Sequence, residues 1–185
     1  MSRTSKIISA GAAVVLVLTA AVLLASGGPA KTQQPRAKDF TLQQVGQPGQ
    51  RVSLAAFAGQ PVIVNFFASW CTPCQSETPL LARFYRASQG RVIIIGVDAN
   101  DSAAKARRFL RAAGVRYPVA FDPFPAPITV SYGVYGLPQT FFLNAQHRIV
   151  SRVLGALSMK KLTHGVALMD GRPKALAGAG NQDRG

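Results

Sequence analysis

Residues 61–68 read PVIVNFFA, and residues 91–97 read RVIIIGV. Both runs are almost continuously apolar, and only Asn65 interrupts the first. A strand with one face in water alternates apolar and polar side chains. A strand without that alternation must be covered on both faces. Two such strands therefore demand a central sheet with helices on either side. The rest of the chain supplies the cover. Leu80, Leu81, Phe84 and Tyr85 fall on one side of a helix expected over residues 71–87, with Pro79 inside it as an expected kink. Asp101 or Ser102 can cap a second helix through Ala113, closed by Gly114.

The flanking segments complete an α/β pattern. Residues 39–42 and 51–54 read as a hairpin around Gly46, Pro48 and Gly49. Residues 117–121 form a short third strand, and a proline-rich stretch then leads to a short helix at 128–132. Residues 139–144 and 149–155 form a closing hairpin, and Ser158 caps a last helix over 159–169. The expected fold class is α/β, a mixed sheet flanked by helices.

The domain so defined runs over residues 39–170. Before it, residues 7–25 carry no charge over 19 residues, and as a helix they would reach roughly 28 Å, close to a bilayer core. Arg3 and Lys6 precede this run. Residues 1–26 are therefore expected to be a signal anchor or a cleaved signal peptide. Residues 27–38 (GGPAKTQQPRAK) read as a linker, and 171–185 as a disordered tail. The net charge of +14, from 21 Lys and Arg against 7 Asp and Glu, invites a nucleic-acid reading. The basic residues are scattered, however, and only Lys105, Arg107, Arg108 and Arg111 cluster, opposite the apolar Phe109 and Leu110. That is the pattern of a solvated helix face, so nucleic acid is not an expected partner. A tethered domain could instead use the charge near anionic lipid or acidic partners.

Both cysteines of the chain lie in WCTPCQSETP, residues 70–79, together with its only glutamate. The pair falls where a buried strand turns into a helix. Only a thiolate attacks, and an ordinary cysteine has a pKa of about 8.5. At the first turn of a helix, unpaired N–H groups and the helix dipole stabilise an anion. Cys71 is thus the expected nucleophile, and Cys74, one turn in and more buried, the resolving thiol. Pro73 suits the first turn, where its missing N–H costs little. A structural disulfide would more usually close a longer loop. Zinc would need four ligands, and only His147 and His164 remain. A copper carrier or a non-enzymatic binding module is the rival from another class. No metal or organic cofactor is expected, because the Cys71–Cys74 disulfide is itself the redox group.

Glu77 has two readings. It is either an acid placed favourably near a helix N-terminus or a buried carboxyl that exchanges a proton with Cys74. Asn65 is either a satisfied core amide or a hydrogen-bonding group beneath the cysteine pair.

These residues resemble a known group. The run from Val64 to Cys74 (VNFFASWCTPC), with Glu77, Pro79 and the earlier DFTL of residues 39–42, is similar to the membrane-tethered thioredoxin-like reductases of the TlpA, ResA and CcmG (DsbE) type. Residues 132–143 (YGVYGLPQTFFL) resemble that family's cis-proline segment. The resemblance implies a thioredoxin-like fold with an N-terminal hairpin extension and a helix–strand insertion between Val97 and Asp122. It implies that Glu77 tunes the cysteine pair, that Pro138 is cis, and that Trp70, Thr72, Pro73, Leu137 and Pro138 contact the partner protein. It further implies reduction of protein disulfides, as in apocytochrome c, on the extracytoplasmic side of the membrane, with electrons from a membrane thiol relay. A disulfide-forming oxidant on the same fold is the alternative. Phe67 departs from the group, where a tryptophan is common, and Gln139 departs from its cytochrome c maturation members, which often carry an acid there. Ala68 stands where peroxiredoxins need threonine, which disfavours peroxidase activity.

Overall fold

A computed structural model describes residues 34–171. The expected segment 1–26 lies outside the described residues, as do most of the expected linker and all of the expected tail 171–185 but Gly171. Among the described residues no helix is long and apolar enough to cross a membrane.

Seven strands form one mixed sheet in the order β2-β1-β5-β4-β3-β6-β7. β3 (Val62–Phe67) and β4 (Ile93–Ala99) lie at its centre. They pair in parallel, from Val62 opposite Ile93 to Phe67 opposite Asp98. Every residue of β3 is buried, as its apolar run, broken only at Asn65, demands. β5 (Val119–Asp122) continues the sheet in parallel. The expected N-terminal hairpin, β1 (Thr41–Gln44) with β2 (Arg51–Ser53), joins antiparallel to β5. On the other side β6 (Gln139–Leu143) and β7 (Ile149–Leu154) form the closing hairpin.

Among the described residues the α-helices are α1 (Thr72–Ser88), α2 (Ala103–Ala112), α3 (Pro127–Ser131) and α4 (Met159–Met169). Alternation along β3 divides the core in two. Val62, Val64 and Phe66 join one apolar cluster with Phe40, Tyr132 and Phe141. Ile63 and Phe67 join the other with Leu81, Leu110, Phe142 and both cysteines. α4 approaches the sheet closely at Gly165, where an added Cβ would lie 2.4 Å from the Phe142 ring.

Three expectations change. The linker ends earlier than expected. Ala37 is buried and donates its N–H to the His147 carbonyl, and the Ile149 N–H reaches the Pro35 carbonyl. Residues 34–38 are thus part of the domain, held by backbone pairing that their polar composition does not reveal. Ser102 occupies the N-cap of α2 but makes no side-chain cap bond. Asp101, the other expected cap, instead accepts from the Ser102 N–H at 2.6 Å through Oδ1 and makes no bond to an N–H of the helix itself. Finally, β4 runs past Val97 through Asp98 to Ala99, so an acid of low strand propensity lies inside the sheet.

Candidate active site

The chain leaves β3 at Phe67 and turns into α1 with Cys71 as N-cap, φ −82° and ψ 107°. Cys71 and Cys74 form a disulfide. The Cys74 N–H points at the Cys71 sulfur, 3.2 Å away, so one orphan donor of the helix start is aimed at the sulfur. Cys71 keeps 5% of its surface exposed and Cys74 none. Thr72 and Pro73 are exposed on the first turn. Trp70 is 57% exposed, and its indole N–H donates to the Asn100 carbonyl.

The turn is held from both sides. Asp101 Oδ2 accepts from the Ser69 N–H at 2.6 Å, and Gln75 Nε2 donates to the Ser69 carbonyl at 2.7 Å. The β4–α2 connection, which supplies Asn100 and Asp101, therefore fixes the approach to Cys71. The Leu137–Pro138 bond is cis. Leu137 packs against the cluster that contains both cysteines, and Pro138 is buried next to it.

Glu77 is 1% exposed, so its carboxyl lies inside the fold and not on the helix surface. Its Oε1 accepts from Asn65 Nδ2 at 2.9 Å and its Oε2 from the Leu157 N–H at 2.6 Å. Asn65 Nδ2 also donates to Thr140 Oγ1 at 3.0 Å. Asn65 is thus more than a satisfied core amide. It links β3, α1 and β6 under the redox turn, while its Oδ1 has no partner among the described residues. Burial pushes the Glu77 carboxyl above its ordinary range, and the Leu157 N–H, the Asn65 amide and the Lys161 charge partly offset this.

Asp98 is a second buried acid, which the sequence reading missed. It is fully buried, opposite Phe67 on β3 and Phe121 on β5. Neither of its oxygens meets an N–H or O–H donor among the described residues. Its polar neighbour is the Asp101 carboxylate, to which a protonated Asp98 can donate. Burial, and next the Asp101 charge, push its pKa up to about 8. The available signal was position. Asp98 follows an unbroken apolar run, and strand alternation puts it on the same face as Ile94 and Gly96. Gln139, where cytochrome c maturation members of the resembling group often carry an acid, is also fully buried, with no hydrogen-bond partner for its amide among the described residues.

The arrangement can open and close a disulfide against a docked thiol or disulfide. Among the described residues no group of His, Cys, Asp and Glu is placed to hold a metal ion.

Residues 32–164 match the protein-family profile described as Redoxin. The chain is 33% identical over 124 residues to the thiol-disulfide oxidoreductase ResA of Bacillus subtilis, covering 66% of this chain and 67% of that protein. It is 31% identical over 121 residues to the thiol:disulfide interchange protein DsbE of Pseudomonas aeruginosa, covering 65% and 66%. Among solved structures, a thioredoxin-family thiol:disulfide interchange protein from Chlorobium tepidum superposes with a TM-score of 0.63 at 24% identity. That likeness covers 78% of this chain and 99% of the other, and it places the fold among the thioredoxin-like proteins.

Proposed function

The chain belongs to the redoxin family and is a thiol–disulfide oxidoreductase, and we propose that it works as a reductant of protein disulfides outside the cytoplasm. In the reduced protein, Cys71 at the helix N-cap attacks one sulfur of the substrate disulfide as a thiolate. The substrate's other sulfur leaves as a thiolate and takes a proton from solvent. Cys74 then loses its proton and attacks the Cys71 sulfur. The mixed disulfide breaks, the second substrate thiol is released, and the Cys71–Cys74 disulfide forms. Two electrons have passed to the substrate, and a membrane thiol relay returns them.

Glu77 serves the second step. Cys74 is buried, so its ionisation is unfavourable, and the Glu77 carboxylate accepts its proton. Trp70, Thr72, Pro73 and the Leu137–Pro138 segment receive the substrate backbone. The buried Glu77, one helical turn beyond Cys74, carries the assignment of direction. A carboxylate beside the thiols disfavours their thiolate forms. The connecting residues Thr72 and Pro73 supply no cation to counter it. Closing the disulfide relieves that conflict, and a favoured disulfide is a reducing one. Apocytochrome c before haem attachment is the proposed substrate. The apolar segment at residues 7–25 would tether the domain to the membrane.

The reduction potential tests this reading. A value below about −200 mV is expected, whereas one approaching about −120 mV would assign the chain to disulfide formation instead.

A further inference from the structure

Strand direction sorts the charges of the domain to opposite ends. β3, β4 and β5 are parallel, and the redox turn leaves the C-terminal end of β3. At that same end lie Asp98, Asp101 and Asp122, within or just after β4 and β5. The other end is basic. Arg86 is in the last turn of α1 and Arg111 in that of α2. Arg91 and Arg116 precede β4 and β5, and Arg148 lies in the β6–β7 turn. Asp170, closing α4 on the β6–β7 side, is an acidic exception, and Lys105, Lys160 and Lys161, in the first turns of α2 and α4, are basic ones at the redox end.

Some of these arginines have structural work. Arg86 donates to the Gly114 carbonyl, Arg91 to that of Ser88, and Arg148 to that of Gln34. Arg107, Arg111 and Arg116 are different. They are exposed, none has a hydrogen-bond or ion-pair partner among the described residues, and all three line a cleft of about 320 Å³. The stem of Arg107 packs on the turn at Gly46, where an added Cβ would lie 2.7 Å from it. Its position is therefore built into the hairpin extension. The chain also enters the domain at this end. Gln34, the first described residue, is bonded to Arg148, and Pro35 to Ile149.

We propose that this basic end is a docking surface for anionic phospholipid headgroups, with Arg107, Arg111 and Arg116 as its centre, so that the domain rests on the membrane with its redox turn facing away. The proposal rests on the tethered reading above, which brings this end to the bilayer. Each basic side chain near an anionic bilayer strengthens association about fivefold, within a Debye length of about 8 Å at physiological salt. Three unpartnered arginines on one end are enough to orient an already tethered domain.

The test uses the full chain in vesicles of phosphatidylcholine, with or without phosphatidylglycerol, and arginine-directed dicarbonyl footprinting. Arg107, Arg111 and Arg116 are expected to react about tenfold more slowly in the anionic vesicles, with the protection lost at high salt. Arg152, held by the Gly133 carbonyl, should react equally in both. A second readout is the fluorescence anisotropy of Trp70, the only tryptophan. It should be higher in anionic vesicles, and in the R107E/R111E/R116E chain it should fall to the phosphatidylcholine value, with exchange of a small-molecule disulfide unchanged. Equal footprints in the two vesicles overturn the proposal. Equal protection by inorganic phosphate in solution overturns it in favour of a discrete anion site. Protection by polyglutamate but not by vesicles overturns it in favour of an acidic protein partner. Release of the chain by an alkaline carbonate wash would defeat the tethered reading alone, and footprints on chain that still floats with vesicles would continue to test the surface.

Discussion

Two buried acids flank the redox turn, and they are built in opposite ways. Glu77 enters from α1 and finds a donor for each oxygen, the Asn65 amide and the Leu157 N–H. Asp98 enters from β4 and finds no donor, only the Asp101 carboxylate. Both lie above the ordinary carboxylate range because burial penalises the charge. The donors at Glu77 favour its charged form and partly offset its burial, as the proposed proton exchange with Cys74 requires. Asp98 is held as a neutral acid whose O–H can tie it to the residue that clamps Ser69. Partners, more than depth of burial, decide whether a buried carboxyl is a proton carrier or a structural strut.

The largest test of that contrast is Glu77→Leu. It strands the Asn65 and Leu157 donors, each costing about 1–3 kcal/mol, so chemical denaturation should show a loss of about 3 kcal/mol or more. Asp98→Asn should act in the other direction and depend on pH. Asp98 ionises at 3.8 in its ordinary state and at about 8 in the fold. Between these values the native state keeps a proton that the unfolded chain has released, so its contribution to stability falls as pH rises. The asparagine variant, which can still donate to Asp101, should therefore match the parent near pH 4 and exceed it by a few kcal/mol near pH 8 in melts across that range. A difference that does not vary with pH would show that Asp98 is ionised in the fold and the contrast false.

Asp101→Ala removes the acceptor of the Ser69 N–H and the partner of Asp98. A loss of about 1–2 kcal/mol is expected, together with a changed rate of Cys71 alkylation in the reduced protein. An unaltered rate would separate this clamp from the redox turn. Thr140→Val should have the smallest effect, about 0.5–1 kcal/mol, because Asn65 keeps its bond to Glu77.

Much of this was legible in the sequence because it depends on periodicity. The almost continuously apolar runs PVIVNFFA and RVIIIGV required a doubly covered sheet, and α1, α4 and both hairpins fall within a few residues of their expected bounds. The cysteine pair was legible because spacing and a strand-to-helix turn suffice to place it. Residues whose roles depend on long-range register were not legible. Leu157 offers only a backbone N–H to Glu77, 80 positions away, and no side-chain pattern announces that. Asp98 looked like a loop residue because the strand was expected to end at Val97. Residues 34–38 looked like linker because their order comes from backbone pairing with the β6–β7 turn. The depth of Glu77 was not legible either, since an acid near a helix start can be solvated or buried, and the structure shows it buried.

The central claim is that the Glu77 carboxyl tunes the cysteine pair, and the pH dependence of thiol alkylation in the reduced protein tests it most directly. Cys71 and Cys74 should each show a lower apparent pKa in Glu77→Gln than in the parent, because a neutral amide no longer opposes the thiolates. Identical titration curves for the two proteins would contradict it.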